Sequence, residues 1–390
     1  MSELWTRRQV LALSGSALLA AVLPPLSAKP QPAASGKTKA SANHLLAAAD
    51  TDDAALYRQA FVLDCNTLAS IGGLLYEKDL AKLLGQIQDS GISALKSTLG
   101  GDRGTFEYTV TDIAAAQALI EQHPEVFIKV IRHDDLERAK REHKVAVIFS
   151  FEAATMLEDK IERIELFRQL GVLIMQLSYN HKSPFGCGCL DGDTDGVTEL
   201  GRKAIATMNA QGVALDLSHA NTRTTADGIA ISTKPPIFTH AGCRSVFAHP
   251  RNKEDREMKA LADKGGVMGI YMMPFLTVDT RQPMLDDFMQ HMIHALNVCG
   301  EDHVGIGTDS AFFEVSDSDL KDMAKEEEDR KKAGVGAPGE NRPPYIPDLN
   351  TPRKLERVAS ALLKRGYSER ATEKVLGLNF DRVFKEIWTA

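Results

Sequence analysis

Four residues carry side chains that together make a reactive set: Glu152, His219, His240 and Asp309. Each stands at the end of an apolar, strand-like run. Val145–Phe151 leads into Glu152, Val213–Leu217 into Ser218 and His219, Ile237–Thr239 into His240, and Val304–Gly307 into Thr308 and Asp309. Two neutral imidazoles and a carboxylate are the smallest protein donor set of an open catalytic zinc site, whose remaining position holds water and lowers its pKa to about 7. The chemistry of such a set is hydrolysis. Asp309, outside that donor set, suits acid/base work, taking a proton from the attacking water and returning it to the leaving group. One histidine after a strand is more often a hydrogen-bonded structural residue, so the argument rests on four residues at equivalent places. Other motifs carry less. Cys187-Gly-Cys189 has poor spacing for a redox pair, and a disulfide from this loop to a distant cysteine, Cys243 or Cys299, is expected instead. Asp191-Gly-Asp-Thr-Asp195-Gly196 starts like a calcium loop but lacks the bidentate Glu at its twelfth position, so it reads as an acidic turn.

Residues at strand ends meet only when the strands share a sheet. Past residue 55, candidate strands fall at Phe61–Asp64, Ile92–Thr98, Val145–Phe151, Val172–Leu177, Val213–Leu217, Ile237–Thr239, Gly266–Tyr271 and Val304–Gly307. Segments of helical period lie between them, near 79–90, 111–122, 134–143, 158–170, 199–211, 222–232, 254–264 and 284–299. Eight strands, each followed by helical sequence, predict an α/β fold: a (β/α)8 TIM-type barrel like that of metal-dependent hydrolases, with one extra helix before the third strand. The carboxyl ends of barrel strands form one face, which is what would gather the four residues. A doubly wound open sheet would have fewer strands and one switch point, and no Gly-x-Gly-x-x-Gly or Walker motif is present. The stretch 316–348 is charged from Asp317 to Lys332 and then Gly/Pro-rich through Pro347. It reads as an insertion after the eighth strand, expected to be a solvated surface loop, with a substrate lid as the alternative. Residues 352–365 and 369–388 have helical period and close the barrel.

The chain of 390 residues holds 46 Lys+Arg against 53 Asp+Glu, a net charge of −7, with 43% hydrophobic and 25% charged residues. That composition excludes a disordered or polytopic membrane protein, and it lacks the basic excess of a nucleic-acid surface. Five cysteines are too few for a disulfide scaffold. At the N-terminus, Thr6-Arg7-Arg8-Gln9-Val10-Leu11 precedes the apolar run Ala12–Leu23, then Pro24-Pro25 and small residues at Ser27 and Ala28. This reads as a twin-arginine signal peptide over 1–28, followed by a disordered linker over 29–54. The run is shorter than the roughly 18 to 20 residues of a spanning helix. A periplasmic protein with no stable membrane anchor is therefore expected.

From about Ala55 onward the sequence resembles the membrane (renal) dipeptidase family of zinc metallopeptidases. The resemblance is carried by Val145-Ala-Val-Ile-Phe-Ser-Phe-Glu152, Asp216-Leu-Ser-His219, Phe238-Thr-His240, Arg251-Asn252, Val304-Gly-Ile-Gly-Thr-Asp309 and Gly377-Leu-Asn379, in order and with family-like spacing. It implies that Glu152 bridges two zinc ions, that His219 and His240 bind the second, and that Asp309 assists proton transfer. It also implies that Arg251 and Asn252 bind the substrate, Arg251 gripping its carboxylate, for which a planar guanidinium is suited. A homodimer is implied too. Two places depart from the family. Its first strand ends in Asp-Gly-His-Asn-Asp, whose His and second Asp bind the first zinc, whereas here Asp64-Cys65-Asn66-Thr67-Leu68 puts Asn66 and Leu68 at those positions. Leu68 cannot coordinate, Asn66 is a neutral oxygen donor suited to hard cations, and Cys65 lies one position off the ligand register. The family's substrate-contacting His after the fourth strand is Tyr179 here, which can donate one hydrogen bond but cannot become a cation near neutral pH; His181 follows two residues on.

The expectation is an exported hydrolase holding one zinc through Glu152, His219 and His240, with two less expected. Its substrate is a small peptide-like molecule with a free carboxylate. Two other readings stand beside it: a tailoring enzyme of a secreted peptide metabolite, and a ligand-binding protein that kept the fold without turnover.

Overall fold

The computed structural model describes residues 51–388 apart from 68, 69 and 103. The signal peptide assigned to 1–28, most of the linker and Leu68 lie outside the described residues. The description opens in a helix, Thr51–Gln59, which takes in the last residues of the stretch assigned as linker, 29–54.

All eight expected strands form: β1 (Leu63–Thr67), β2 (Ala94–Thr98), β3 (Val145–Phe151), β4 (Val172–Gln176), β5 (Ala214–Asp216), β6 (Ile237–Cys243), β7 (Val267–Ile270) and β8 (Val304–Ile306). They pair in parallel in that order. The circle closes where Thr67 bridges Ser310 and the Asp309 N–H donates to the Asn66 carbonyl at 2.8 Å. The fold is a (β/α)8 barrel. The expected extra crossover is present as two helices, Phe106–Gln122 and Asp134–Arg141, between β2 and β3, with a short strand, Phe127–Lys129, pairing along β3. A second short strand, Asn252–Lys253, pairs along β6. Every residue of β3 is buried, as expected of a parallel strand covered on both faces, which is why it reads as a continuous apolar run. Phe151 packs edge-on against Phe167 of the outer helix Arg163–Gln169, with ring centres 4.8 Å apart. Gly307 sits where a Cβ would lie 1.9 Å from the Thr239 carbonyl oxygen, so the last strand can pass beside the sixth only without a side chain there.

The segment 316–348 corrects the surface-loop expectation. A capping box at Ser316 starts a helix, Asp317–Lys332, and the chain then lies across the barrel mouth. The Asn180 amide donates to the Val335 carbonyl at 3.0 Å, His249 Nε2 meets the Pro338 carbonyl at 2.6 Å, and Arg342 donates to the carbonyls of Pro274 and Val278. Within it, Arg330 pairs with Glu340 at 3.3 Å. The segment is a lid.

The expected disulfide is also corrected: all five cysteines are free and buried. The thiols make separate contacts, Cys189 with Asn180 Oδ1 at 3.4 Å, Cys243 with the His291 carbonyl at 3.3 Å and Cys299 with the Met258 carbonyl at 3.6 Å.

Candidate metal centre

Two buried aspartates set the strand ends from which the reactive residues project. Asp216, at the end of β5, accepts from the Ser218 N–H and hydroxyl, from the Thr239 N–H and hydroxyl, and from Gln176 Nε2. It thereby fixes the turn that carries His219 and the strand that carries His240. Asp64, near the end of β1, does the same for Thr308, accepting its N–H at 2.8 Å and its hydroxyl at 2.7 Å, and so fixes Asp309. Burial pushes the Asp64 pKa up to about 6 in spite of those bonds. Asp309 itself has a positive φ of 51°, a left-handed conformation uncommon for a residue with a side chain, held by its place in the barrel seam.

Glu152, His219 and His240 converge, their donor atoms lying within 4.8 Å of one another. His219 Nε2 is 3.0 Å from His240 Nε2 and 3.8 Å from Glu152 Oε2. The Nδ1 atoms face acceptors. His219 Nδ1 is 2.8 Å from Asn180 Oδ1, an amide oriented by its own donation to Val335. His240 Nδ1 is 2.8 Å from the Thr239 hydroxyl, whose proton goes to Asp216 at 2.6 Å. Both imidazoles therefore carry their proton on Nδ1 and turn their Nε2 lone pairs toward each other beside a carboxylate, with an Arg251 N–H also reaching that of His219. Burial, with Arg251 adding to it, holds both well below the ordinary imidazole pKa. Two lone pairs facing at this distance repel each other, and the Arg251 guanidinium offers an N–H to only one of them, that of His219. Donors arranged tetrahedrally at about 2.1 Å from one ion stand about 3.4 Å apart, so these residues fit a metal ion.

The two carboxyl groups are driven apart. Burial raises the Glu152 pKa, but the Lys96 ammonium and the Thr98 hydroxyl, 2.7 Å away, more than offset it and hold Glu152 ionised. Asp309, buried and near the Glu152 charge, is pushed up from the usual carboxylate range. Its Oδ1 accepts from Asn66 Nδ2 at 2.9 Å, and its Oδ2 lies 3.9 Å from His240 Nε2. One group is thus kept as an anion while the other can hold a proton.

Arg251 is buried, with Nη1 donating to the Ser218 carbonyl at 2.6 Å and Nη2 donating to His219 Nε2 at 3.1 Å, so its guanidinium forms a wall of the centre. Tyr179 stacks on the His219 ring at 4.0 Å, and its hydroxyl accepts from Arg330 of the lid at 3.4 Å. Asn252 takes a different place from the one expected. Its amide donates to the Phe247 and Phe275 carbonyls and its oxygen accepts from Tyr271, so it braces the loop beside Arg251 rather than offering a group to a ligand. His181 is drawn to the lid carbonyl of Gly334 at 3.1 Å. Cys65 packs with Leu63, Ala94 and Ile148, and burial raises its thiol pKa well above the ordinary value, so it is a packing group rather than a thiolate ligand. Above the centre lies a small cavity of about 60 Å³, walled by Thr98, Glu152, Tyr179 and Asp309 below and by Glu327 and Arg330 of the lid. Two site residues had gone unnoticed in the sequence, Asn180 and Lys96. Lys96 carried a legible signal: it is a lone lysine in a short, otherwise uncharged strand.

Residues 58–328 match the family described as membrane dipeptidase, peptidase family M19. Dipeptidase tcpJ of Claviceps purpurea is 25% identical over 292 residues, which is 73% of this chain and 60% of that protein; the chain thus spans less than two thirds of that relative's length. Among solved structures, an amidohydrolase from Pseudomonas aeruginosa superposes with a TM-score of 0.73 at 30% identity, covering 87% of this chain and 99% of the other. A metallopeptidase from Rhodobacter sphaeroides, liganded with a phosphinate mimic of the dipeptide L-Ala-D-Ala, superposes with a TM-score of 0.67 at 18% identity over 84% of this chain and 99% of its own. At that identity the likeness shows the fold.

Proposed function

The chain belongs to the membrane dipeptidase family of metallopeptidases, and from that membership we propose that it is an exported hydrolase that cleaves a peptide or amide bond next to a free carboxylate with one zinc ion. The observation that carries this reading is the pair of imidazole Nε2 lone pairs turned toward each other beside an ionised Glu152, with Asp309 at the edge of the set. A zinc ion held by Glu152, His219 and His240 would supply Lewis acidity and make water acidic enough to ionise near neutral pH.

The chain's own residues do the rest. Asp309, anchored at one oxygen by Asn66, keeps the other free to receive a proton from water and pass it to the leaving nitrogen. Arg251, held in place through the Ser218 carbonyl, supplies a planar donor fork for the substrate carboxylate. The Tyr179 hydroxyl accepts from Arg330, which leaves its own proton to donate to the scissile carbonyl. The lid excludes water while these groups act.

The test is zinc-dependent release of amino acids from a panel of dipeptides with free and amidated C-termini. Release from the free forms, lost in Glu152→Gln, supports the reading. Equal cleavage of amidated forms would remove Arg251 from its role, and no release from any dipeptide would turn the reading toward tailoring or ligand binding. Export rests on the Arg7-Arg8 leader, and its check is whether mature protein reaches the periplasm and whether Arg7→Lys/Arg8→Lys retains it inside.

A further inference from the structure

Lys96 is fully buried in the wall of the centre and has no part in the acid/base or carboxylate-binding roles above. Its Nζ donates to Asn66 Oδ1 at 2.5 Å, to the Thr98 hydroxyl at 3.1 Å and to Glu152 Oε1 at 3.4 Å. An ammonium has three protons, and here each has an oxygen. Such a group is costly to bury unless paired, and its ion pair is with the carboxylate of the metal-donor set.

We infer that the Lys96 ammonium is the built-in second cation of this centre, occupying the place where a second metal ion would otherwise be held. The oxygens that could face a second ion, Asn66 Oδ1 and Glu152 Oε1, are both committed to Nζ. The Asn66 amide cannot turn to present another atom, because its Nδ2 is tied to Asp309 Oδ1 at 2.9 Å. Glu152 is consequently divided: Oε1 is held by Lys96 and Thr98, while Oε2 faces His219. Lys96 is therefore a positioning residue that acts through Glu152. It fixes which carboxylate oxygen serves the metal and supplies, without any second ion, a positive charge beside the reacting centre. This rests on reading Glu152, His219 and His240 as metal donors.

The deciding experiment titrates the purified chain with zinc against a competing chelator, reads stoichiometry by native mass spectrometry, and repeats both for Lys96→Gln and Lys96→Met. Gln keeps a donor for Glu152 should the apolar variant fold poorly. The wild-type chain is expected to saturate at one ion, with excess zinc adding none. Both variants are expected to take up a second zinc ion when zinc is in excess, since the ammonium no longer fills that place, while losing the charge that holds Glu152 ionised weakens the first ion. A lysine that merely braced Glu152 would also weaken the first ion on removal but leave the stoichiometry at one. Two ions of comparable affinity in the wild type, or a stoichiometry that stays at one in both variants, would overturn the inference and leave the metal-donor reading standing. No ion in the wild-type chain would overturn both.

Discussion

Replacing Asn180 by alanine severs a metal donor from the lid in one step. The side chain is 1% exposed, accepts from His219 Nδ1 at 2.8 Å and donates to the lid carbonyl of Val335 at 3.0 Å. Alanine leaves both partners buried without a bond. Each such orphan costs about 1–3 kcal/mol, and with water entering the vacated space the net loss of stability should be about 2–4 kcal/mol. The imidazole also loses the acceptor that keeps its proton on Nδ1. Loss of a partner of that kind weakens metal binding by about 10–100-fold, or about 1.4–2.7 kcal/mol. Urea unfolding of the metal-free chain reads the first quantity, and competition with a chelator of known affinity reads the second. Hydrogen exchange of residues 333–338 should rise in parallel, although His249 and Arg342 still pin the lid nearby. Zinc affinity within three-fold of the wild type in a folded Asn180→Ala protein would refute the argument that Asn180 sets the orientation of His219.

Elemental analysis should find no metal in His219→Ala or His240→Ala and still one ion per chain in Asn66→Ala; strong loss in the last would place Asn66 among the donors. Arg251→Lys should raise KM at least ten-fold for substrates with a free carboxylate while changing kcat little, and should leave amidated substrates unaffected, as steady-state kinetics would show. Two buried histidines lie away from the metal set, His249 between the Arg251 N–H and the Pro338 carbonyl, and His291 between the Cys243 N–H and the Leu276 carbonyl. Burial lowers the pKa of each to about 4. Between about pH 6.5 and 4 the unfolded chain therefore binds more protons than the folded one, so stability is retained above 6.5 and falls as pH drops toward 4, by about 3 kcal/mol for each. Urea midpoints across that range should show the decline, and His291→Asn should flatten it by about one proton.

The barrel was legible because parallel strands covered on both faces must be apolar along their whole length, and β3 reads that way from Val145 to Phe151. The gathering of Glu152, His219, His240 and Asp309 followed from strand ends sharing a face. What sequence reading missed depended on partners distant in the chain. Lys96 finds its acceptors 30 residues back and 56 residues on. The lid is seated in part by barrel-loop side chains, Asn180 and His249, that donate to its backbone carbonyls, contacts that leave no mark on its own charged composition. Asn252 was assigned to the substrate because it follows Arg251, yet its neighbours in space, Tyr271 and Phe275, use every polar atom it has.

The seam between the first and last strands gives the barrel an order of completion. Asn66 and Asp309, bonded through both backbone and side chain, are separated by 243 residues, whereas the three metal donors come from β3, β5 and β6 on the opposite arc. Joining ends so remote is the slowest and entropically dearest contact in the chain. A protein being synthesised can therefore collect its metal donors long before residue 309 exists, and a truncated or nicked chain can keep them after the seam has opened. Asp309, the proposed acid/base residue, and its bond to the amide of Asn66 come last. Metal content would report that the middle of the barrel has formed, and turnover alone would report that the ring is shut.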